Sequence, residues 1–178
     1  PFLYLRLAEH IVETGSLPNP DYTRYLGIGG EYKNLISFDI AYLYKFLSVF
    51  SNNISLEYVA IIFPVIFFGL SIITFFFFVR EVFSRRNEFE KSSIAVLATL
   101  LYTVMPQMQH RTTAGIPELE SIGIVFFWLS FFLFLKAWNS EGKIWKMNKR
   151  YFYAVLSGVS TALMIYHWGG FRFIFLSL

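Results

Sequence analysis

The sequence predicts an all-α fold, a polytopic membrane protein built as a multi-helix transmembrane bundle with a large external first loop. Three observations carry that expectation. Of the 178 residues, 56% are apolar and 21% aromatic. Charged residues make up only 15%, against about 25% in an ordinary globular domain, and the mean hydropathy is +0.52. The charges that remain are gathered in clusters that bracket apolar runs. The net charge of +3 and a pI near 9.1 do not point to nucleic acid, because that requires a basic face rather than basic brackets. The absence of cysteine excludes disulfide frameworks, thiolate metal sites and thiol nucleophiles together. The chain opens at Pro1 and closes inside the apolar run 171–178, so a segment of a longer protein is expected.

The first 57 residues are expected to form the external loop, lying on the bilayer or re-entering it. From Phe2 to Glu13, apolar Tyr4, Leu5, Leu7, Ala8, Ile11 and Val12 alternate at helical spacing with Arg6, Glu9, His10 and Glu13. Pro1 suits the first helical position, the residue before it would be the N-cap, and Gly15 supplies the stop. A second amphipathic helix is expected from Phe38 to Phe50, with turns at 17–21 and 27–30 between the two. Asn53-Ile54-Ser55 is a glycosylation sequon in this external part.

Spans follow. Tyr58 to Val79 is 22 residues without a formal charge, which as a helix reaches about 33 Å and crosses a hydrocarbon core of about 30 Å; Pro64 predicts a kink. Shorter runs at 92–106, 122–138 and 151–168 give three more spans, and a fifth starts at Phe171. Lys136 can snorkel to the interface, and Trp138, Tyr151, Tyr153 and Trp168 lie where an aromatic belt would put them. The Phe75–Phe78 run and the stripe Phe126, Phe127, Phe131, Phe132 and Phe134 read as lipid-facing or helix-packing surface.

Cytoplasmic loops collect Lys and Arg near the membrane ends. The connection from Arg80 to Lys91 and that from Lys136 to Arg150 hold nine of the fifteen basic residues. Residues 1–57 and 107–120 hold eight of the twelve acids and are predicted to be external. Single cysteines introduced near Lys33 and near Lys146 should therefore react with an impermeant reagent from opposite sides of the membrane; reaction from one side would overturn this topology.

The stretch from His110 to Glu120 concentrates chemistry at the external mouth, with His110, Arg111, Glu118 and Glu120 within eleven residues. Pro117 is expected in the first turn of the next helix, placing both glutamates at its positive end. One reading is stabilisation of a helix start. The other is a divalent-cation site of hard carboxylate oxygens facing a phosphate, which needs an irregular turn, because residues two apart on a regular helix point about 200° away from each other. Glu118, nearer the loop, is the better candidate. Arg111 and His110 are candidates for phosphate recognition. His167 reads as an interfacial residue, and Gly169 and Gly170 as a tight turn between helices.

Arg111-Thr112-Thr113-Ala114-Gly115 followed by Glu118-Leu119-Glu120 resembles the second acidic motif of oligosaccharyltransferase catalytic subunits. The segment from Leu7 to Asp21 resembles the first external loop of the archaeal members, and Trp168-Gly169-Gly170-Phe171-Arg172 resembles their Trp-Gly-Gly-aromatic-Arg segment. The resemblance covers essentially the whole chain. It implies a GT-C glycosyltransferase fold in a multi-pass archaeal cell membrane, with the active site facing outside. It implies transfer of a glycan from a dolichol-linked phosphate or pyrophosphate donor to Asn in Asn-x-Ser/Thr of an acceptor protein. A divalent cation, Mn2+ or Mg2+, is implied, with Glu118 and Glu120 in the positions of the second acidic pair. The family usually begins this motif with Asp, whereas this chain has Glu at both positions. The family's first acidic motif would put its Asp immediately before Pro1, and its sequon-binding motif lies beyond Leu178. The alternatives are a protein O-mannosyltransferase-like enzyme and a polytopic transporter; a transporter would place its polar groups near the bilayer midplane rather than at the mouth.

Overall fold

The computed structural model of the chain describes residues 2–18, 35–51, 53–144, 147–172 and 176. The turn at 27–30, most of that at 17–21, Lys33, Lys146 and most of the run beyond Phe171 lie outside these residues. The described part is helical apart from a two-residue antiparallel ladder between β1 (Lys143–Ile144) and β2 (Met147–Asn148). The chain divides into two compact units, 1–64 with 114–117 and 65–113 with 118–178.

In the first unit, α1 (Phe2–Thr14) packs on α2 (Leu35–Ser48). The apolar stripe read from the sequence narrows to three buried residues of α1, Leu7, Ala8 and Ile11, which share the core with Ile36, Ile40 and Ala41 of α2. Gly15 ends α1 as expected: its φ is 80°, and its N–H donates to the Ile11 carbonyl at 2.9 Å. The second helix starts three residues earlier than Phe38 and stops at Ser48. α3 (Leu56–Val82) begins in this unit, where Val59, Ala60 and Phe63 are buried. Ser55 of the sequon caps α3, its Oγ accepting from the Tyr58 N–H at 3.2 Å. Pro64 lies inside α3 without ending it, and the unit boundary falls there.

The second unit holds the rest of α3, then α4 (Glu88–Val104), α5 (Pro106–Arg111), α6 (Leu119–Asn139) and α7 (Lys149–His167). Helices thus occupy all four expected spans. Among the described residues two of them, α3 and α6, are long and apolar enough to cross a membrane. α4 ends where Pro106 forces the residue before it, Met105, into an extended conformation (φ −65°, ψ 122°). Aromatic rings tie α3, α4 and α6 together: Phe75 stacks on Tyr102 and meets Trp128 edge-on, both at 4.6 Å, and Phe78 sits 5.2 Å from Trp128. Tyr102 Oη and Ser71 Oγ are 3.1 Å apart inside this cluster. Most of the Phe75–Phe78 run and the α6 stripe therefore pack helix on helix, although Phe77 and Phe134 remain exposed.

α6 and α7 pack through small polar residues. Ser157 Oγ donates to the Ser130 carbonyl at 2.9 Å, and Ser160 Oγ donates to the Phe126 carbonyl at 3.0 Å. Short side chains let the two backbones approach, and each hydroxyl finds an acceptor across the interface, which is how apolar-phase helices associate when no hydrophobic gain separates helix from lipid. The opposite faces stay apolar and exposed, with Leu97, Leu100 and Leu101 on α4 and Val155 and Val159 on α7 uncovered. Such patches mark contact with lipid or another apolar partner.

The end of the unit where α3 and α6 finish and α4 and α7 start is charged. Lys136 Nζ lies 3.1 Å from Glu81 Oε2, and Asn139 Nδ2 donates to Glu81 Oε1 at 3.0 Å. Lys136 thus has a carboxylate partner as well as a route to the interface. Glu88 takes Lys91 and Arg80, each at 2.6 Å; the hydrogen bond from Lys91, then that from Arg80, holds its carboxyl below the ordinary carboxylate range.

Candidate functional site

The candidate site lies at the other end of the second unit, between the end of α5 and the start of α6. α5 carries Pro106 at its first position and closes at Arg111. The two threonines of the motif close it. Thr112 Oγ1 donates to the Met108 carbonyl at 2.7 Å, and Thr113 Oγ1 donates at 2.8 Å to the Gln109 carbonyl, which also accepts the Thr112 N–H at 3.3 Å. Gly115 then adopts a φ of 82°, a left-handed turn that glycine accepts without strain.

Pro117 does not occupy the first turn of α6. The helix begins at Leu119, and Glu118 is its N-cap with an extended backbone (φ −126°, ψ 153°). This corrects the sequence expectation and decides the geometry of the pair. Glu118 leaves the cap to its own carbonyl, which accepts Ser121 Oγ at 2.6 Å and the Ser121 N–H at 3.1 Å, while its carboxylate makes no cap hydrogen bond. The side chain turns to Arg111 instead. Arg111 Nη1 is 2.9 Å from Glu118 Oε2 and 3.6 Å from Glu120 Oε1. Two carboxylates that a regular helix would point apart converge on one cationic nitrogen, because the first of them stands outside the helix. The hydrogen bond that Arg111 donates to Glu118, followed by the charges of Glu118 and Glu120, pushes the guanidinium above its ordinary value. The three side chains remain partly open to solvent. Exposed ion pairs contribute little to stability, so the convergence is not accounted for by the needs of the fold.

Beside this cluster lies a cavity of about 620 Å³ lined by Gln107, Met108, His110, Arg111, Glu120, Ile124, Phe127, Trp128 and Trp168. The four site residues named from the sequence are therefore brought together, Arg111, Glu118 and Glu120 by direct contact and His110 as part of the cavity wall. His110 is exposed, and its side chain forms no hydrogen bond or ion pair among the described residues. His167 is placed apart, its ring 5.7 Å from Phe126 and its Nδ1 2.8 Å from the Leu163 carbonyl. No group of three or more His, Cys, Asp or Glu side chains comes together among the described residues, so the two glutamates could supply only part of a cation's donor set.

Sequence reasoning missed the aromatic wall. A signal was available, because Glu120, Ile124, Phe127 and Trp128 recur at the spacing of one helix face and so extend from the carboxylate down a single side of α6. The sequence places Trp168 in an aromatic belt and in the Trp-Gly-Gly segment, without a packing partner; its side chain lies against Gly123 of α6. A Cβ built on Gly123 would fall 2.6 Å from Trp168 Cβ, and one built on Gly170 would strike the indole ring. Close approach of the indole, rather than a turn needing positive φ, is the requirement at Gly170.

Residues 1–178 match the family model described as "Oligosaccharyl transferase STT3, N-terminal". Over 170 residues the chain is 28% identical to a protein of Archaeoglobus fulgidus named dolichyl-phosphooligosaccharide-protein glycotransferase 2, an alignment covering 96% of this chain. The chain spans about a quarter of the length of that relative, 25%. With the family model matched from end to end, the chain belongs to the oligosaccharyl transferase STT3 family.

Proposed function

We propose that the protein carries out N-linked glycosylation, moving a glycan from a dolichol-linked phosphate or pyrophosphate donor to the side-chain nitrogen of Asn in an Asn-x-Ser/Thr sequon, on the external face of the membrane. The observation that carries this reading is the convergence of Glu118 and Glu120 on Arg111 at the edge of a cavity walled by Ile124, Phe127, Trp128 and Trp168. Transfer forms a bond from the Asn nitrogen to the sugar's anomeric carbon, breaks the bond from that carbon to the phosphate oxygen, and releases a proton from the amide. Negative charge grows on the departing phosphate. Arg111 and His110 are the groups that bind this phosphate, Arg111 through a guanidinium able to hold two oxygens at once. The apolar wall suits the first part of a polyprenyl chain.

A divalent cation fits the donor set in part. Glu118 and Glu120 offer hard oxygens, and both carboxylates already face one positive atom. Mn2+ or Mg2+ held there would neutralise charge on the leaving phosphate as a Lewis acid. Further oxygens would have to come from outside this pair of glutamates. Arg111 then has two tasks, holding the glutamates in register and receiving the phosphate.

The test is a transfer assay with the full-length protein, a lipid-linked glycan and a peptide carrying one sequon. Mass spectrometry should find the glycan on the Asn of the sequon. Transfer to a Ser or Thr hydroxyl would replace this reading with the O-mannosyltransferase-like one, and absence of any transfer would remove it.

A further inference from the structure

The charged end of the second unit encloses a cavity of about 700 Å³. Five cations line it, Arg80, Arg85, Lys91, Lys136 and Arg150. Even with Glu88 added to the lining acids Glu81 and Glu141, positive charge exceeds negative by two. The pairing inside the cluster is uneven. Glu81 takes Lys136, and Glu88 takes Lys91 and Arg80, whereas Arg85 and Arg150 have no ion pair among the described residues. Arg80 Nε is buried with no hydrogen-bond partner among them, which is costly unless a ligand supplies an acceptor. A second, smaller cavity of about 370 Å³ adjoins the first, sharing Trp138 and Arg150 with it. Its other walls are apolar: Phe134 and Ala137 of α6 and Ala154 of α7. Trp138 and Tyr151 stand exposed at this level.

A basic chamber that opens into an apolar groove matches an amphiphile with an anionic head and a hydrocarbon tail. We propose that this end of the unit binds one anionic glycerophospholipid of the bilayer, its phosphate on Arg85, Arg150 and Arg80 Nε and a hydrocarbon chain in the groove between α6 and α7. The position along the helices agrees. Both α3 and α6, the two helices able to span, finish here, so the chamber lies at headgroup depth, where basic pockets between helices recognise anionic lipid and aromatic residues anchor the interface. The site is separate from the cluster at Arg111. α6 runs from one to the other over its 21 residues, a rise of about 32 Å. Lipid bound here would brace the α6–α7 pair, whose serine contacts lie between the two sites, without touching the donor.

The inference rests on the membrane placement of α3 and α6, and the experiment separates the two. Full-length protein is taken from nanodiscs of mixed phosphatidylglycerol and phosphatidylcholine into neutral detergent, and the retained lipid is counted by native mass spectrometry. Wild type should retain phosphatidylglycerol in preference. Arg85→Gln and Arg150→Gln should each lower that preference about fivefold, the effect of one cation near an anionic surface, while Arg85→Lys and Arg150→Lys, which keep the charge, should retain most of it. Millimolar inorganic phosphate should leave the retained lipid in place. Equal retention of the two lipids by wild type, or undiminished preference in both Gln variants, would overturn the proposal. So would displacement by inorganic phosphate, which would make the ligand a free phosphate ion. Retention of neither lipid would overturn the proposal alone, whereas failure of the protein to incorporate into the nanodiscs would overturn the membrane placement.

Discussion

Glu118→Gln in the full-length protein should slow glycan transfer by at least about tenfold, each tenfold corresponding to about 1.4 kcal/mol of lost transition-state stabilisation. The change keeps the size and hydrogen-bonding capacity of the side chain and removes its charge. Glu118 lies 2.9 Å from Arg111 Nη1 and Glu120 3.6 Å, so Glu120→Gln should slow transfer less. If the glutamates hold a cation, the metal concentration giving half-maximal rate should rise in Glu118→Gln, and excess manganese should restore part of the rate. If they act only by holding Arg111, metal dependence should stay fixed, and in an Arg111→Gln background Glu118→Gln should cost nothing more, because residues acting as one unit are not additive. Initial rates against metal concentration for wild type, both single Glu variants, Arg111→Gln and the Arg111→Gln/Glu118→Gln double variant separate these outcomes. An unchanged rate and unchanged metal dependence in Glu118→Gln would reduce both acids to helix-start residues.

The parts of the fold legible in the sequence were those set by a single periodicity or a single breaker residue. Gly15, the run after Tyr58 and the pause at Pro106 each act through local backbone chemistry, and helices begin and end near them as expected. Boundaries moved where a cap competed with the apolar pattern. α4 starts at Glu88 rather than 92 because Asn87 Oδ1 accepts the Glu90 N–H at 2.8 Å, and α7 starts at Lys149 because Asn148 Oδ1 accepts the Arg150 N–H at 3.0 Å. Both caps were visible as residue types. The Glu81 to Lys136 pair was not, since 55 residues separate its members and nothing local in either segment names the other.

The same division runs through the candidate site. Arg111, Glu118 and Glu120 are near neighbours in sequence, so their grouping followed from the chain itself, while the extended cap that makes them converge did not. Helix propensity placed Pro117 in the first turn, but the chain passes Pro117 and one further residue before it coils. That shift takes Glu118 off the helix and supplies the irregular turn a shared cation would need. The contact of Trp168 with Gly123 lay beyond local reasoning altogether, because it depends on how α6 and α7 pack.

Gly123→Ala should destabilise the protein by about 1–3 kcal/mol, the usual cost of forcing extra volume into a packed site. The sign is informative. Alanine inside a helix is ordinarily favoured over glycine by about 0.5–1 kcal/mol, so a loss at Gly123 can arise only from what its new methyl meets. That is the root of the Trp168 side chain, with Cβ at 2.6 Å and Cγ at 3.0 Å, a part of the residue that cannot swing aside without moving the whole indole. Gly158 on α7 is the matched control, because a Cβ there meets nothing within 4 Å, and Gly158→Ala should be neutral or stabilising. In a Trp168→Gly background, which removes the Cβ as well as the indole, the penalty at Gly123 should largely vanish, and thermal unfolding of the four proteins in detergent measures that coupling directly. Function should follow the same displacement. Trp168 walls the cavity beside Arg111 and Glu120, so pushing the indole out of place should raise the KM for the lipid-linked donor with a smaller change in kcat, the pattern of lost ground-state binding. Equal effects of Gly123→Ala and Gly158→Ala on stability and on KM would show that Trp168 is not held against α6, and the Trp-Gly-Gly segment would then lose its assigned part in shaping the site.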